Sequence, residues 1–277
     1  VSGTHVVDMA ARPSFQMTAS EPVAWKSSWK SRLQVDESGL CTAHSLGNVT
    51  LTAASASGER ASLRLRFVRG VQSIELSGEH ELGAGRGHDD MIYATIATGI
   101  GGALIINGKL YRGMHGMAGE IGHMFVSDST GYPCSCGVTG CVQSISSGAQ
   151  MAKYVTDRIK EGEDSSILNY AGTLSNIDME AVGKALQGND SLALEVVHRG
   201  AEYLGRMFHS LNQILDINVF IYGGGITKLG SRFIDRMIAA YRHYSLVDQR
   251  YPARFIPAKL QEKASVYGAA LLLTANE

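Results

Sequence analysis

One segment of the 277-residue sequence carries three cysteines within eight positions, in the pattern C-x-C-x4-C, with a histidine upstream. The four residues are His123, Cys134, Cys136 and Cys141. Three thiolates and an imidazole form the ligand set of a closed, tetrahedral structural zinc site. Gly137 and Gly140 lie inside the loop and allow the sharp turns that it needs. The spacing predicts a Cys3His zinc site; the alternative is a set of reduced, buried thiols with an unrelated histidine.

A second pair lies just before the cysteines. Glu120 and His123 are spaced i, i+3, so both side chains lie on one face if the segment is helical. A carboxylate accepts hydrogen bonds from sugar hydroxyls, and a metal-bound histidine is a rigidly held neighbour. The pair is therefore a candidate site for a polyhydroxy substrate. The spacing is equally compatible with an exposed glutamate beside a zinc ligand.

Glycine-rich turns follow two predicted strands. The first turn is Ala97–Gly102 and the second is Tyr222–Thr227. Backbone N–H groups without a Cβ atom beside them can approach phosphate closely. Either turn alone is explained by chain reversal, but two at equivalent strand ends predict a nucleotide cleft, with Gly3 and Thr4 as a third candidate loop. Neither turn is a Walker A loop or a G-x-G-x-x-G fingerprint.

The elements that position these residues alternate between strands and helices. Strands are predicted at Met91–Ala97 and Asn218–Tyr222, a hairpin is predicted at Asn107–Gly108, and weaker strands are predicted at Val49–Ala54 and Ser62–Phe67. An apolar stripe with steps of three and four residues predicts one long helix: Leu194, Val197, Ala201, Leu204, Phe208, Leu211 and Leu215. Further helices are predicted at Leu229–Tyr241 and Ala264–Leu273. Strand–glycine–helix alternation indicates an α/β fold with ligand loops at the strand ends.

Composition excludes several classes of protein. The net charge is −1, which argues against a dominant nucleic-acid or membrane-binding surface. No apolar run reaches the roughly 20 residues of a membrane helix, and the first 20 residues lack the apolar core of a signal peptide. Clustered cysteines fit a metal site better than disulfides, so a cytoplasmic protein is expected.

An ordered series of motifs carries a resemblance to a known family. The motifs are Gly83-Ala-Gly-Arg-Gly87, Ala97-Thr-Gly-Ile-Gly-Gly102, Asn107-Gly-Lys-Leu-Tyr-Arg-Gly113, Ala118-Gly-Glu-Ile-Gly-His123, the cysteine loop, Tyr222-Gly-Gly-Gly-Ile226 and Gly268-Ala269-Ala270. Together they resemble the ROK family of sugar kinases and sugar-responsive repressors, over about Gly83 to Leu273.

The resemblance implies a fold and a set of ligands. It implies an actin-like or hexokinase-like, two-lobed ATPase fold with a zinc loop, usually in a homodimer; the lobes are expected at residues 1–90 and 91–277. It implies zinc on the Cys3His set and sugar hydroxyls on Glu120 and His123. ATP, carried with Mg²⁺, would meet a further set of residues: Gly3, Thr4, Thr98 and Gly99 on the phosphate side, and Gly223, Gly224 and Gly225 on the adenosine side.

The sequence departs from the family pattern where the general base is expected. The Asn-Asp-Ala-Asn motif that should precede Gly83 is absent, and its aspartate is the family's general base. In the segment Gly70–Glu79 that stands in its place, Glu75 and Glu79 are the only carboxylates and are weak substitutes. Gln143 stands where the family has a glutamate, two positions after the last zinc cysteine.

Three functions remain open from the sequence. The first is an ATP-dependent, glucokinase-like hexose kinase, which the Ala118–His123 form of the motif favours. The second is the effector domain of a sugar-sensing repressor, whose helix-turn-helix, the only expected link to nucleic acid, would lie upstream of Val1. The third is a sugar-binding homologue with impaired catalysis, because losing a general base typically costs about 10²–10⁴-fold in rate.

Overall fold

The computed structural model describes residues 4–8, 14–20, 22–44, 47–68, 78–128, 131–245, 248–264 and 266–267. At 4–8, 47–48, 66–68 and 262 the description is of the backbone alone. Within these segments, no helix has both the length and the apolar character that crossing a bilayer would require.

Seven described strands before residue 69 form two small sheets. Their bounds are β1 Thr4–Asp8, β2 Ser14–Gln16, β3 Val23–Ser27, β4 Leu33–Val35, β5 Leu40–Ala43, β6 Gly47–Ser55 and β7 Arg60–Val68. One sheet has the order β1-β7-β6-β3 and the other β2-β5-β4. The antiparallel pairing of β6 with β7 confirms the two weak strands predicted from alternation. Six buried residues form a local core here: Leu33, Cys41, Ala43, Val49, Leu51 and Leu65.

A five-stranded sheet carries the candidate site. Its strands are β8 Met91–Ile96, β9 Ile100–Ile106, β10 Lys109–Tyr111, β11 Val219–Gly223 and β12 Arg254–Pro257, in the order β10-β9-β8-β11-β12. The first three are antiparallel, whereas β8, β11 and β12 run parallel. Asn107 (φ 53°) and Gly108 (φ 70°) are both left-handed, as a two-residue hairpin turn requires, which confirms the predicted hairpin. Because β9 already begins at Ile100, the first glycine turn is tighter than predicted.

The helices after β10 supply the core on one face of this sheet, whereas a short helix before β8 leads into Ala84, which packs with the apolar cluster on the other face. The helices are α1 at 78–82, α2 Gln143–Ser146, α3 Gly148–Lys160, α4 Ile167–Ala171, α5 Met179–Gln187, α6 Ser191–Leu215 and α7 Ser231–Tyr244. The long predicted helix is α6, and the middle of its apolar stripe is fully buried against β8 and β11. Successive residues of a strand point to opposite faces. Ile92 and Ala94 therefore join the helical core, whereas Met91 and Tyr93 join a second cluster behind the sheet.

Two predicted helix boundaries differ from the structure. Leu229 ends a short 3-10 turn, Gly225–Leu229, and α7 begins only at Ser231. Gly230, with φ at 77°, breaks the helical path between them. In the predicted closing helix, residues 264, 266 and 267 are helical and the rest of it lies outside the described residues.

Candidate functional site

The two glycine turns emerge side by side at one edge of the sheet. β8 and β11 are parallel neighbours, with Gly223 in register with Thr95, so both strands end at the same edge. Gly224 has φ at 95°, and a Cβ atom there would lie 2.4 Å from the carbonyl oxygen of Ile96. Only glycine fits such an approach of one turn to the other strand. The predicted meeting of the two turns is therefore present in the structure.

A cleft of about 1230 Å³ opens beside these turns. Thr98 lines it from the first turn and Gly225 from the second. Apolar residues supply much of the remaining wall, among them Ala149, Ala152, Ile177, Leu186, Ile226 and Leu229. Apart from glycines, the remaining lining is polar or charged, and a concave cleft with mixed walls is a candidate small-molecule site.

The start of helix α3 is fastened to the first turn. The Gly148 N–H donates to the carbonyl oxygen of Ala97 at 2.8 Å, and the Ala149 N–H donates to that of Thr98 at 3.3 Å. The Ser147 hydroxyl caps the helix by accepting from the Gln150 N–H. These helix N–H groups are already used, so phosphate contacts would have to come from the exposed tip of the turn, Thr98 and Gly99.

Charged side chains of the cleft come from several elements, and Lys228 of the 3-10 turn and Arg232 of α7 are among them. Lys153 and Lys160 project from α3 and Lys184 from α5. Lys153 pairs with Asp157 and Lys184 with Glu180, each at 2.8 Å. Sequence reasoning missed these lysines, although the seven-residue step from Lys153 to Lys160 places both on one helix face.

The four predicted zinc ligands converge. Their ligand atoms all lie within 4.8 Å of one another. The Cys134 Sγ atom lies 3.3 Å from Nδ1 of His123, and the Sγ atoms of Cys136 and Cys141 lie 3.5 Å apart. Tetrahedral zinc with standard bond lengths would separate such atoms by about 3.6–3.8 Å. The cluster fits a zinc ion, with His123 offering Nδ1 and leaving its Nε2 edge for another partner.

The loop that carries the thiols is shaped by glycine and by short backbone bridges. Gly140 has φ at 95°, and a Cβ there would lie 1.8 Å from the Ser127 carbonyl oxygen. Burial raises the pKa of the Cys141 thiol to about 12, whereas a hydrogen bond to the Val138 backbone lowers the pKa of exposed Cys136. Zinc binds thiolates, so binding would release these protons. Cys41 is remote and buried, as expected, and burial raises its pKa to about 11.

The candidate sugar residues lie on a 3-10 turn, Ile121–His123, with Glu120 as its N-cap. Glu120 precedes the turn with non-helical backbone (φ −71°, ψ 47°), and His123 is the last residue of the turn. A shared face for the two side chains stays a prediction. The segment packs by its backbone on β9. A Cβ on Gly122 would lie 2.1 Å from the carbonyl oxygen of Ile100, and one on Gly119 would lie 2.4 Å from that of Gly102. The turn that carries Glu120 and His123 is thus pressed against the strand that leaves the first glycine turn.

Of the two carboxylates considered as substitute bases, the structure describes Glu79. Glu79 is fully buried, and its carboxylate accepts the backbone N–H groups of Ala84 (2.8 Å), Lys259 (3.1 Å) and Leu260 (2.5 Å). These bonds fasten helix α1 to the segment after β12, which is a structural arrangement. Glu75 lies outside the described residues.

Only Thr4 of the remaining predicted phosphate loop is described, so this loop stays a prediction. Gly3 lies outside the described residues, and Thr4 begins strand β1, which pairs with β7 in the first sheet. Gly223 sits against Tyr93 and Ala258, where a Cβ would meet Ala258 at 3.0 Å. Gly223 and Gly224 therefore shape the second turn, whereas Gly225 faces the cleft.

Comparison with known proteins identifies the family. The ROK family model matches residues 53–276. The chain belongs to the ROK family. A glucokinase of Halalkalibacterium halodurans is 35% identical over 208 residues, which are 74% of this chain and 62% of that enzyme. The ROK chain therefore spans less than two thirds of the length of this relative.

Solved ROK structures share the fold. A ROK family glucokinase from Streptomyces griseus, in complex with glucose and AMPPNP, superposes with a TM-score of 0.68 at 30% identity, covering 76% of this chain and 69% of that one. A ROK transcriptional regulator homologous to the E. coli MLC protein superposes at 0.65 and 23% identity, covering 77% and 52%. The chain has the ROK sugar-kinase fold, which is of the actin-like ATPase type.

Proposed function

We propose that this ROK chain binds ATP and a hexose and transfers the γ-phosphoryl group to a sugar hydroxyl. The observation that carries the proposal is the close packing of the Gly119–His123 segment on β9. It brings the candidate sugar residues next to the turn that borders the cleft. Phosphoryl transfer depends mainly on positioning the two reactants and on stabilising charge, so this juxtaposition is what the reaction needs.

The cleft is assigned to the nucleotide. Thr98 and Gly99 at the tip of the first turn would face the phosphates, and Gly225 with the apolar wall would face the adenosine. The S. griseus glucokinase was solved with AMPPNP and glucose, which supports this pairing of ligands in a related protein. Mg²⁺ carried by ATP would offset charge on the phosphates; no residue of this chain is assigned to it.

The sugar is assigned to Glu120 and His123. The Glu120 side chain lies at the exposed start of the 3-10 turn and would accept hydrogen bonds from hydroxyl groups. A zinc ion held by His123 Nδ1 and the three thiolates would supply rigidity by fixing the imidazole ring. His123 could then offer Nε2 to the sugar in one orientation.

The general base is not assigned to a residue. Glu79 is occupied by three backbone N–H groups, and Glu75 lies outside the described residues. A chain without the usual aspartate would turn over about 10²–10⁴-fold more slowly than one that has it. Binding of both ligands would be retained, because neither assigned site depends on that aspartate.

The test is ADP release measured with a panel of hexoses, beside calorimetric titration of the same sugars. The proposal expects slow ADP release that depends on one or more hexoses and saturates with sugar concentration. Hexose binding with no ADP release above background would instead indicate a sugar-binding homologue or a repressor effector domain. No binding of any hexose would reject the sugar assignment altogether.

We also propose a homodimer, a cytoplasmic location and two lobes. The family resemblance supports the dimer, which light scattering after gel filtration tests. The four cysteines are unpaired, which suits a reducing compartment. The apolar core of the first sheets is separate from that of the five-stranded sheet, which supports two lobes. The hydrogen bonds of Glu79 with Lys259 and Leu260 favour a boundary between the lobes before residue 78 rather than at residue 90.

A further inference from the structure

Gln143 is the first residue of helix α2 and lies between two parts of the site. Its Oε1 atom accepts the Ile100 N–H at 3.0 Å, and its Nε2 atom lies 4.0 Å from the Cys134 Sγ atom as a donor. We infer that Gln143 is a positioning residue that couples the zinc centre to the first glycine turn. The inference rests on the zinc centre proposed above.

The location of the amide is tightly defined on the turn side. Gln143 Oε1 lies 3.2 Å from the position that a Cβ would take on Gly99 and 3.3 Å from that on Gly122. The amide therefore lies at the junction of the glycine turn and the Glu120–His123 segment. The Ile100 N–H stands next to that turn and donates to the side-chain oxygen of Gln143.

The chemistry of the two amide ends explains why glutamine suits this position. The Ile100 N–H needs an acceptor, which fixes Oε1 on that side, and the opposite end is then an N–H donor aimed at the thiol sulfur. A thiolate bound to zinc is a good acceptor for such a donor, and partners of this kind orient metal ligands. A glutamate, the residue that the family has at this position, would keep the acceptor for Ile100 but would lose the N–H donor directed at the sulfur.

The coupling has a direct consequence. With zinc bound, Cys134 would be a thiolate in a fixed position. Its sulfur would accept a hydrogen bond from Nε2 of Gln143 and restrain the amide. The restrained amide would in turn fix its Oε1 atom, which accepts the hydrogen bond from the Ile100 N–H. Occupation of the metal site is thereby expected to order the turn that carries Thr98 and Gly99.

The experiment compares Gln143→Glu, which keeps only the acceptor, with Gln143→Leu, which removes both groups. Gln213→Glu on the exposed face of α6 is the matched control for added charge. Zinc affinity is measured by competition with a chromogenic chelator, and exchange of the Ile100 amide hydrogen is measured with zinc and after chelation. We expect zinc affinity to fall about 10–100-fold in both Gln143 variants, the usual effect of losing an outer partner of a metal ligand.

Hydrogen exchange at the Ile100 amide distinguishes the role of Gln143 Oε1 from that of Gln143 Nε2. In the unmodified chain, zinc should slow exchange at Ile100. In Gln143→Glu, exchange should be slow both with and without zinc. In Gln143→Leu, exchange should be fast under both conditions. Zinc affinity of Gln143→Glu within twofold of the control would overturn the coupling, as would zinc-independent exchange in the unmodified chain. An unmodified chain that binds no zinc would refute the zinc centre and the coupling together, while leaving hexose-dependent ADP release as a separate result.

Discussion

Replacing Gly122 by alanine tests the packing on which the proposed site depends. The φ angle of Gly122 lies outside the left-handed region, so its backbone conformation permits alanine and the cost is steric. The new Cβ would lie 2.1 Å from the Ile100 carbonyl oxygen and 3.0 Å from its carbon. Backbone atoms on both sides would have to separate by roughly 1 Å to reach ordinary contact, a case of overpacking.

The size of the effect follows from that displacement. Overpacking costs about 1–3 kcal/mol, and a clash with backbone rather than with a flexible side chain belongs at the upper end. A loss of about 3 kcal/mol lowers the melting temperature by about 6–12 °C in a chain of this size. Because a 1 Å misplacement of a binding group can cost about 10²-fold in rate, the catalytic efficiency with hexose should fall by a similar factor.

The assay is thermal unfolding by calorimetry, followed by hexose titration of the folded variant. Gly225→Ala is the stability control, because its Cβ would meet no atom within 4 Å. A melting temperature for Gly122→Ala within about 2 °C of the control would show that the segment does not press on β9. Unchanged sugar affinity in a destabilised variant would separate the packing from the sugar site and refute that part of the reasoning.

Further predictions concern the metal, the sugar and the buried carboxylate. Cys136→Ser should reduce zinc from about one ion per chain to well below half by elemental analysis; because Cys136 is exposed, the accompanying loss of stability would report the metal rather than core packing. Zinc affinity of the unmodified chain should weaken as pH falls, because protons compete for the thiolates and the imidazole; a flat profile between pH 8 and 6 in chelator competition would contradict this. Glu120→Gln should weaken hexose binding in calorimetry with zinc retained, and equal affinity would assign Glu120 to structure. Glu79→Gln should lower the free energy of unfolding in urea by about 1–3 kcal/mol, because an amide cannot accept all three N–H bonds; stability equal to that of the unmodified chain would refute the fastening role.

The parts of the site that sequence reasoning found are those with strong local signals. The Asn107–Gly108 hairpin follows from two residues that tolerate left-handed backbone. The convergence of His123 with the three cysteines follows from ligand type and from glycines that turn the loop. The meeting of the two glycine turns follows from one topological rule, that parallel strands end at the same edge of a sheet.

The parts that sequence reasoning could not find depend on contacts between distant segments. Glu79 is an ordinary helical glutamate in the sequence, and only the arrival of Lys259 and Leu260 reveals its buried role. Gln143 is visible as a departure from the family pattern, but its contact with Ile100 is a product of tertiary packing. Helix α7 begins at Ser231 because Gly230 has a positive φ angle. The spacing of apolar residues carries no information about that backbone angle, so it could not predict the boundary.

The central claim is that phosphate moves from ATP to a hexose at the junction of the glycine turns and the Glu120–His123 segment. The most direct test incubates the protein with ATP, Mg²⁺ and the hexose that binds best, and quantifies ADP and hexose phosphate in the same sample by mass spectrometry. The account predicts that the two products appear in equal amounts, and that both fall together in Glu120→Gln. Release of ADP without hexose phosphate, or a bound hexose that never acquires phosphate, would contradict it.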